Sequence, residues 1–187
     1  IEASGCHGII AQGWEAGGHR GIFDPQAADA RTPAMDLVTD LASRTSLPVI
    51  AAGGLMTGGD IASALAAGAA AAQLGTAFIG CPESVADTAY RERLALGGET
   101  VMTAAISGRP ARCLSNAFTE WAGDIPAGEI PAYPCAYDLG KALNAAAKAR
   151  GVTTFGAQWA GAGADQARTL PAQELVHALM TELEAAI

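Results

Sequence analysis

The fold of this chain is decided by the stretch Leu47-Pro48-Val49-Ile50-Ala51-Ala52-Gly53-Gly54, in which a short apolar run stops at two glycines. Two other runs have the same form. Residues 7–11 end at Gln12-Gly13, and residues 70–74 end at Gly75-Thr76. Short apolar runs bounded by glycine are typical of parallel strands, because both faces of such strands are covered. We therefore predict three parallel strands.

Helices are predicted between these strands. Residues 33–43 carry apolar side chains at helical spacing after Thr32, which is a plausible N-cap. Asp60 can cap a second helix, which ends at Gly68. Strands that alternate with helices indicate βα units, and we therefore expect an α/β fold with a parallel sheet.

The character of the sequence changes after residue 80, and we predict three regions. Residues 1–80 carry the βα units, and residues 81–135 form a small helical subdomain with a Pro- and Gly-rich loop. Residues 136–187 contain helices predicted over 139–150 and 171–186 that pack back on the first region. Leu175, Leu179 and Leu183 define the apolar face of the last helix.

The first five residues resemble the last turn of a helix that ends at Gly5. We therefore expect the chain to be a fragment of a longer protein.

Composition and charge argue against several classes of partner. Half of the 187 residues are apolar, which allows a sizeable core, and the net charge is -8. This acidic balance argues against nucleic acids and anionic membrane surfaces, and no apolar stretch approaches the length of a membrane-spanning helix. The four cysteines are far apart and form no metal-binding or disulfide pattern, as expected in a reducing cytoplasm. Small molecules are the expected ligands.

The loop after the first predicted strand carries the best candidates for chemistry. Residues 11–21 place Gln12, Glu15, His19 and Arg20 among four glycines. A Gln amide can bond the edge of a heterocycle, while His can exchange protons near neutral pH or, when charged, stabilise an anion. A single loop histidine more often has a structural or surface role, and we interpret the other two histidines in that way.

Glycines follow the second and third predicted strands. Gly53, Gly54 and Gly75 would let backbone N–H groups approach phosphate oxygens closely. Turns from strand to helix also need glycine for conformation alone. Because two such turns follow one another along the chain, the sequence supports an anion site and a purely conformational role for these glycines equally.

Three of these stretches, residues 11–21, 51–55 and 73–76, resemble in order and spacing the nitronate monooxygenases, formerly called 2-nitropropane dioxygenases. Further similarity lies in residues 108–116, in Tyr133-Pro134 and in residues 159–161, so the resemblance spans nearly the whole chain. It implies the C-terminal part of a (β/α)8 TIM barrel, namely strands 6 to 8, without the N-terminal half that completes the barrel.

The resemblance also implies a cofactor, a reaction and site residues. The cofactor would be FMN, and the substrates would be a nitronate or nitroalkane and dioxygen, with no metal ion. His19 would act beside the flavin, either by binding an anionic nitronate or by removing the α-proton of a nitroalkane. The implied cofactor contacts are Gln12, Gly17, Gly18, Gly53, Gly54, Gln73, Leu74, Gly75 and Thr76. Ala162 departs from the family pattern, in which Gln is frequent.

Two other functions stay open at this point. A flavin-dependent enoyl-acyl carrier protein reductase shares the Gly-Gly-His loop and would use a nicotinamide reductant. A non-catalytic half-barrel that binds flavin or phosphate is the second alternative, because a sheet lacking its other strands has two exposed edges. For that reason we expect the isolated chain to have little or no activity. A homo-oligomer is compatible with the sequence.

Several other polar and aromatic residues are interpreted as structural. Arg109, Arg112 and Asn116 are candidates for substrate contact, but we expect them instead to form a charged turn that holds the helical subdomain to the barrel. The tryptophans are expected to pack rather than to stack on a flavin.

Overall fold

The computed structural model describes residues 2–187. Strands and α-helices follow one another along the chain in this order: β1 (Ile9–Gln12), β2 (Gly18–His19), α1 (Ala34–Arg44), β3 (Val49–Ala52), α2 (Gly58–Ala66), β4 (Ala71–Gln73), α3 (Thr88–Ala95), β5 (Thr100–Thr103), β6 (Ala111–Leu114), α4 (Ala117–Trp121), α5 (Cys135–Lys148) and α6 (Ala172–Ala186).

The first sheet contains three parallel strands in the order β1-β3-β4. Ala11 on β1 lies opposite Ala51 on β3, and Ala51 lies opposite Ala72 on β4. Helices α1 and α2 cover one face, where Val38 and Ala64 pack with the strands in a buried apolar cluster. The small alanines let these helices pack closely on the sheet. The predicted α/β fold with a parallel sheet is confirmed.

Helix α1 begins one residue later than predicted, and its cap comes from elsewhere. Its N-cap is Pro33, and no side chain at that position bonds the helix. Thr32 was predicted as the cap, and that prediction is wrong. Instead, the Glu15 carboxylate accepts a hydrogen bond from the Ala34 N–H at 3.0 Å. Because proline offers no side-chain oxygen, a residue from the preceding loop bonds the free donor.

Helix α2 is capped by Thr57 rather than by Asp60, the residue predicted from the sequence. The Thr57 hydroxyl accepts from the Asp60 N–H at 3.1 Å, and the Asp60 carboxylate accepts from the Thr57 N–H at 2.8 Å. This reciprocal pair is a capping box, in which the acidic residue occupies the third helical position.

The two C-terminal helices are confirmed with altered starts. Helix α5 begins at Cys135, four residues before the predicted position, and α6 begins at Ala172 after the N-cap Pro171. Leu175 and Leu179 on α6 are buried, as the spacing predicted. Helix α6 packs on α2, so the end of the chain returns to the βα units.

A second, antiparallel sheet lies where the sequence predicted only helix and loop. Its order is β2-β6-β5, with Val101 opposite Cys113 and His19 opposite Ala111. The prediction of helix and loop alone is therefore wrong for residues 100–114, although α3 and α4 do flank this hairpin. The consequence for function is that His19 sits on a strand held by the hairpin rather than on a free loop.

The N-terminal segment agrees with its prediction as far as it is described. Residues 2–4 form a 3-10 turn that ends at Gly5, whose φ of 76° is left-handed. Ile1 lies outside the described residues.

No helix within residues 2–187 combines the length and apolarity needed to cross a membrane. The same residues contain no cluster of three or more His, Cys, Asp or Glu side chains suited to a metal ion.

Candidate functional site

A cleft of about 500 Å³ lies at the carboxyl ends of β1, β3 and β4. Eight of the nine residues predicted to contact a cofactor line it: Gln12, Gly17, Gly18, Gly53, Gly54, Gln73, Gly75 and Thr76. The ninth, Leu74, packs its side chain into the neighbouring apolar clusters instead. His19 lies outside this lining. The topology thus brings three loops that are far apart in sequence to one edge of the sheet.

Most glycines of the cleft are explained by the protein itself. Gly53 and Gly54 have φ values of 117° and 73°, which side-chain-bearing residues rarely adopt. A Cβ on Gly54 would lie 2.8 Å from the Glu15 Cβ, and one on Gly17 would lie 2.7 Å from the Ala160 backbone. These positions would need glycine with or without a ligand.

Gly75 differs from the other glycines. Its φ of -112° is accessible to any residue, and an added Cβ would meet nothing within 4 Å. The protein therefore gives no steric or conformational reason for glycine at this point, and the open space lies within the cleft. Next to it, the Thr76 hydroxyl accepts from the Gly161 N–H at 2.9 Å and keeps its own proton for donation.

The Gln12 amide is engaged by the loop that carries His19. Its Nε2 donates to the His19 carbonyl at 2.9 Å, and its Oε1 accepts from the Gly21 N–H at 2.7 Å. Arg20 Nη1 donates to the same oxygen at 3.2 Å. Gln12 thus holds the backbone on both sides of Arg20, directly after His19, while its contact with a cofactor stays a prediction.

Arg20 is the buried support of this loop. Its side chain is 8% exposed and pairs with Asp29 at 2.7 Å, and its Nη1 donates to the Gly13 carbonyl at 2.7 Å. The hydrogen bond from Arg20 lowers the pKa of Asp29 below its ordinary value. The pair connects the end of the loop after β1 to Asp29 in the segment that leads to α1.

His19 contacts a hydroxyl and three aromatic rings. Its Nε2 lies 2.8 Å from the buried Ser107 Oγ. The ring centroids of Tyr133, Tyr137 and Trp159 lie 5.7, 5.8 and 5.2 Å from that of His19. Ser107 was missed from the sequence, where a lone serine carries no signal of its role. Trp159 also lines the cleft, so it connects the cleft to His19.

The imidazole of His19 favours the neutral form. Burial lowers its pKa below the ordinary value of 6.5, and the positive charge of Arg109 lowers it further. A neutral imidazole has one N–H and one basic nitrogen. Since Ser107 Oγ also lies 3.2 Å from the Arg109 carbonyl, it can donate there and accept from His19 Nε2, which leaves Nδ1 basic. This arrangement suits proton abstraction.

The structural interpretation of Arg112 and Asn116 is confirmed. Arg112 Nη2 donates to the Trp14 carbonyl at 2.9 Å, which connects the second sheet to the loop after β1. The Asn116 side chain caps α4 by accepting from the Phe118 and Thr119 N–H groups. Both residues therefore hold the hairpin and its flanking helix in place.

Comparison with protein families and curated sequences gives consistent relatives. The family model described as nitronate monooxygenase matches residues 1–182. A nitronate monooxygenase of Paraburkholderia phytofirmans is 56% identical over 100% of the chain and 52% of its own length. One of Pseudomonas aeruginosa is 51% identical over 98% of the chain and 53% of its own length. The chain spans about half the length of these relatives.

Solved structures share the fold. Nitroalkane oxidase from Streptomyces ansochromogenes superposes with a TM-score of 0.88 at 42% identity, over 100% of this chain and 54% of that one. FabK from Thermotoga maritima gives a TM-score of 0.77 at 28% identity, over 98% of this chain and 56% of that one.

Proposed function

The chain belongs to the nitronate monooxygenase family, and from this premise we propose that it is the C-terminal part of a flavin-dependent enzyme that oxidises nitronates or nitroalkanes with dioxygen. Strands β1, β3 and β4 would then be strands 6 to 8 of a (β/α)8 barrel. The cleft at their carboxyl ends supports this assignment, because barrel enzymes bind their ligands at that face.

The proposed cofactor is FMN, and Gly75 is the observation that carries it. An open glycine at the end of the last strand leaves room for a phosphate beside backbone N–H groups, and Thr76 retains a hydroxyl proton for the same anion. Gly17, Gly18 and Gly54 would lie along the rest of the cofactor. When bound, FMN supplies the capacity to accept an electron from the substrate and pass it to dioxygen.

His19 is proposed to act as the base toward a nitroalkane. The Cα–H bond of the substrate breaks, the proton moves to the neutral imidazole, and the electron pair stays on the substrate as the nitronate. A substrate that is already a nitronate skips this step and needs only positioning. Ser107 orients the ring through its hydroxyl, and the rings of Tyr133, Tyr137 and Trp159 pack around it.

A pair of glycine variants tests the cofactor site. Gly75→Val places its side chain in the cleft, whereas Gly128→Val adds the same atoms at a surface glycine whose Cβ also meets nothing within 4 Å. The free energy of unfolding of both variants should lie within about 0.5 kcal/mol of that of the parent chain. FMN affinity should fall by about tenfold or more only in Gly75→Val, measured from the visible absorption of the flavin. Equal FMN affinity in both variants would rule out the proposed phosphate position beside Gly75.

The binding assay needs the rest of the barrel. We expect the chain alone to bind FMN weakly and to be inactive, and the N-terminal half of the Paraburkholderia phytofirmans relative to restore binding when it is added. If the added half restores no binding, the barrel assignment fails.

The variant His19→Asn separates catalysis from binding. Turnover of the completed barrel, followed as oxygen consumption with a nitroalkane, should fall by about 100-fold or more, because general base catalysis is lost. FMN affinity should stay unchanged. An unchanged rate would leave a site that binds flavin without using His19.

A further inference from the structure

A second cavity lies outside the cleft, and it is called the Arg109 cavity here. Its volume is about 350 Å³, and it lies between the turn that joins β5 and β6, the segment before α1 and the segment before α5. It shares no lining residue with the cleft. Its walls include Gln26, Ala104, Arg109, Pro110, Ile130 and Tyr133.

Arg109 gives this cavity a positive charge without a counter-ion. Its Nη2 donates to the Ile22 carbonyl, and it forms no ion pair with any residue in the described part of the chain. A guanidinium bonded to one carbonyl keeps several N–H donors for an oxyanion.

The other wall residues determine the size and polarity of the ligand that the cavity favours. Ala104, Pro110 and Ile130 are apolar wall residues, while Gln26 and Tyr133 are neutral residues with polar groups. The volume is near the lower end of the range for small-molecule pockets, roughly 300 to 1,000 Å³. A ligand that matches these walls has one anionic head and a short apolar body.

The cavity adjoins the surroundings of His19. Tyr133 forms one wall and also packs its ring edge against His19. The groups that face His19 are Ser107, Arg109, Tyr133, Tyr137 and Trp159, and the Lys141 ammonium lies 4.9 Å from the far ring of Tyr137. An anion beside Arg109 would offset the charge that helps to lower the pKa of His19.

We propose that the Arg109 cavity is a second ligand site, which binds a short aliphatic carboxylate through Arg109. The assignment goes beyond the proposed function and needs neither FMN nor the rest of the barrel. Because the cavity touches Tyr133, a bound carboxylate would act on the site around His19 through charge and packing.

Calorimetric titration of the chain with hexanoate tests the site, with neutral hexanamide as the matched probe. Hexanoate should bind saturably, and hexanamide about tenfold or more weaker, because only the carboxylate forms a charge-assisted pair with the guanidinium. Arg109→Gln should weaken hexanoate binding by a similar factor. The control Arg150→Gln removes an exposed charge at the end of α5 and should change nothing.

A second variant tests the cavity with Arg109 in place, because Arg109→Gln also removes the bond to Ile22 and can move the loop. Ala127→Phe keeps the charge and fills the cavity from an exposed position, so it should also weaken hexanoate binding. In NMR titrations, saturating hexanoate should raise the pKa of His19. The proposal is overturned if hexanoate does not saturate, if hexanamide binds equally well, or if Arg109→Gln and Ala127→Phe both bind like the parent. None of these outcomes bears on flavin binding.

Discussion

The Asp29→Ala variant tests the buried support of the His19 loop. Arg20 and Asp29 are 8% and 18% exposed and lie 2.7 Å apart. Removing one partner of a buried ion pair leaves an uncompensated charge, which costs about 3–5 kcal/mol when both groups are fully buried. Because Asp29 keeps some solvent contact and Arg20 keeps its bonds to Gly13 and Gln12, we expect a loss of about 2–3 kcal/mol.

The assay is urea unfolding followed by far-UV circular dichroism, with Asp40→Ala as the control. Asp40 pairs with Arg44 at 2.6 Å, but these side chains are 45% and 73% exposed. A solvated i,i+4 pair contributes about 0.3–0.5 kcal/mol, so this control should barely move the midpoint. The two variants therefore remove the same charge from pairs that differ in burial.

The pH dependence gives a second check with a defined sign. The pKa of Asp29 is lowered in the folded state, so its stabilisation is present above the unfolded pKa of about 3.9 and is lost as pH falls through the folded value. The difference between parent and Asp29→Ala should therefore shrink in acid. Equal losses in Asp29→Ala and Asp40→Ala near pH 7 would show that the buried pair does not hold the loop.

Further predictions concern the cap, the turn and the proposed base. Glu15→Ala should lower the free energy of unfolding by about 1 kcal/mol through loss of the α1 cap, measured by urea midpoint. Gly54→Ala should cost about 1–3 kcal/mol in the same assay, because its φ is positive and the Glu15 side chain is in the way. Ser107→Ala should lower kcat of the completed barrel by about tenfold with FMN affinity unchanged, since the ring of His19 loses its anchor. In the pH profile of kcat/KM, the midpoint of the acid limb should lie below about pH 6.5, because the pKa of His19 is lowered from that ordinary value. Arg109→Gln should move this midpoint to higher pH, because it removes the positive charge that helps to lower the pKa.

The parallel sheet was predictable because its signal is local. Each strand is an apolar run that stops at glycine, and the helices between strands carry their own apolar period. The second sheet gave no comparable signal. The strand β2 has only two residues, and Thr100–Thr103 and Ala111–Leu114 are too short and mixed to show a period. Their pairing is decided by contacts between distant segments, which local patterns do not record.

The candidate site likewise contains some residues that the sequence indicates and others that it does not. Part of the cleft could be found because Gln12, Gly53, Gly54 and Gly75 follow strand ends, where a parallel sheet gathers its loops. The other cleft residues were implied only by the family resemblance. Ser107 lies 88 positions from its partner His19, and Glu15 caps a helix 19 positions away. Such long-range bonds depend on the folded path of the chain, so residue type alone did not reveal them.

One face of the first sheet is partly exposed. On β1, Ile9 and Ala11 are buried under the helices, whereas Ile10 between them is 55% exposed and faces the cleft. Strands of parallel sheets are normally covered on both faces. The relatives are about twice as long, and we propose that their other half covers this face. In the proposed enzyme, covering this face would remove water from the cleft and strengthen the polar contacts made to a bound cofactor.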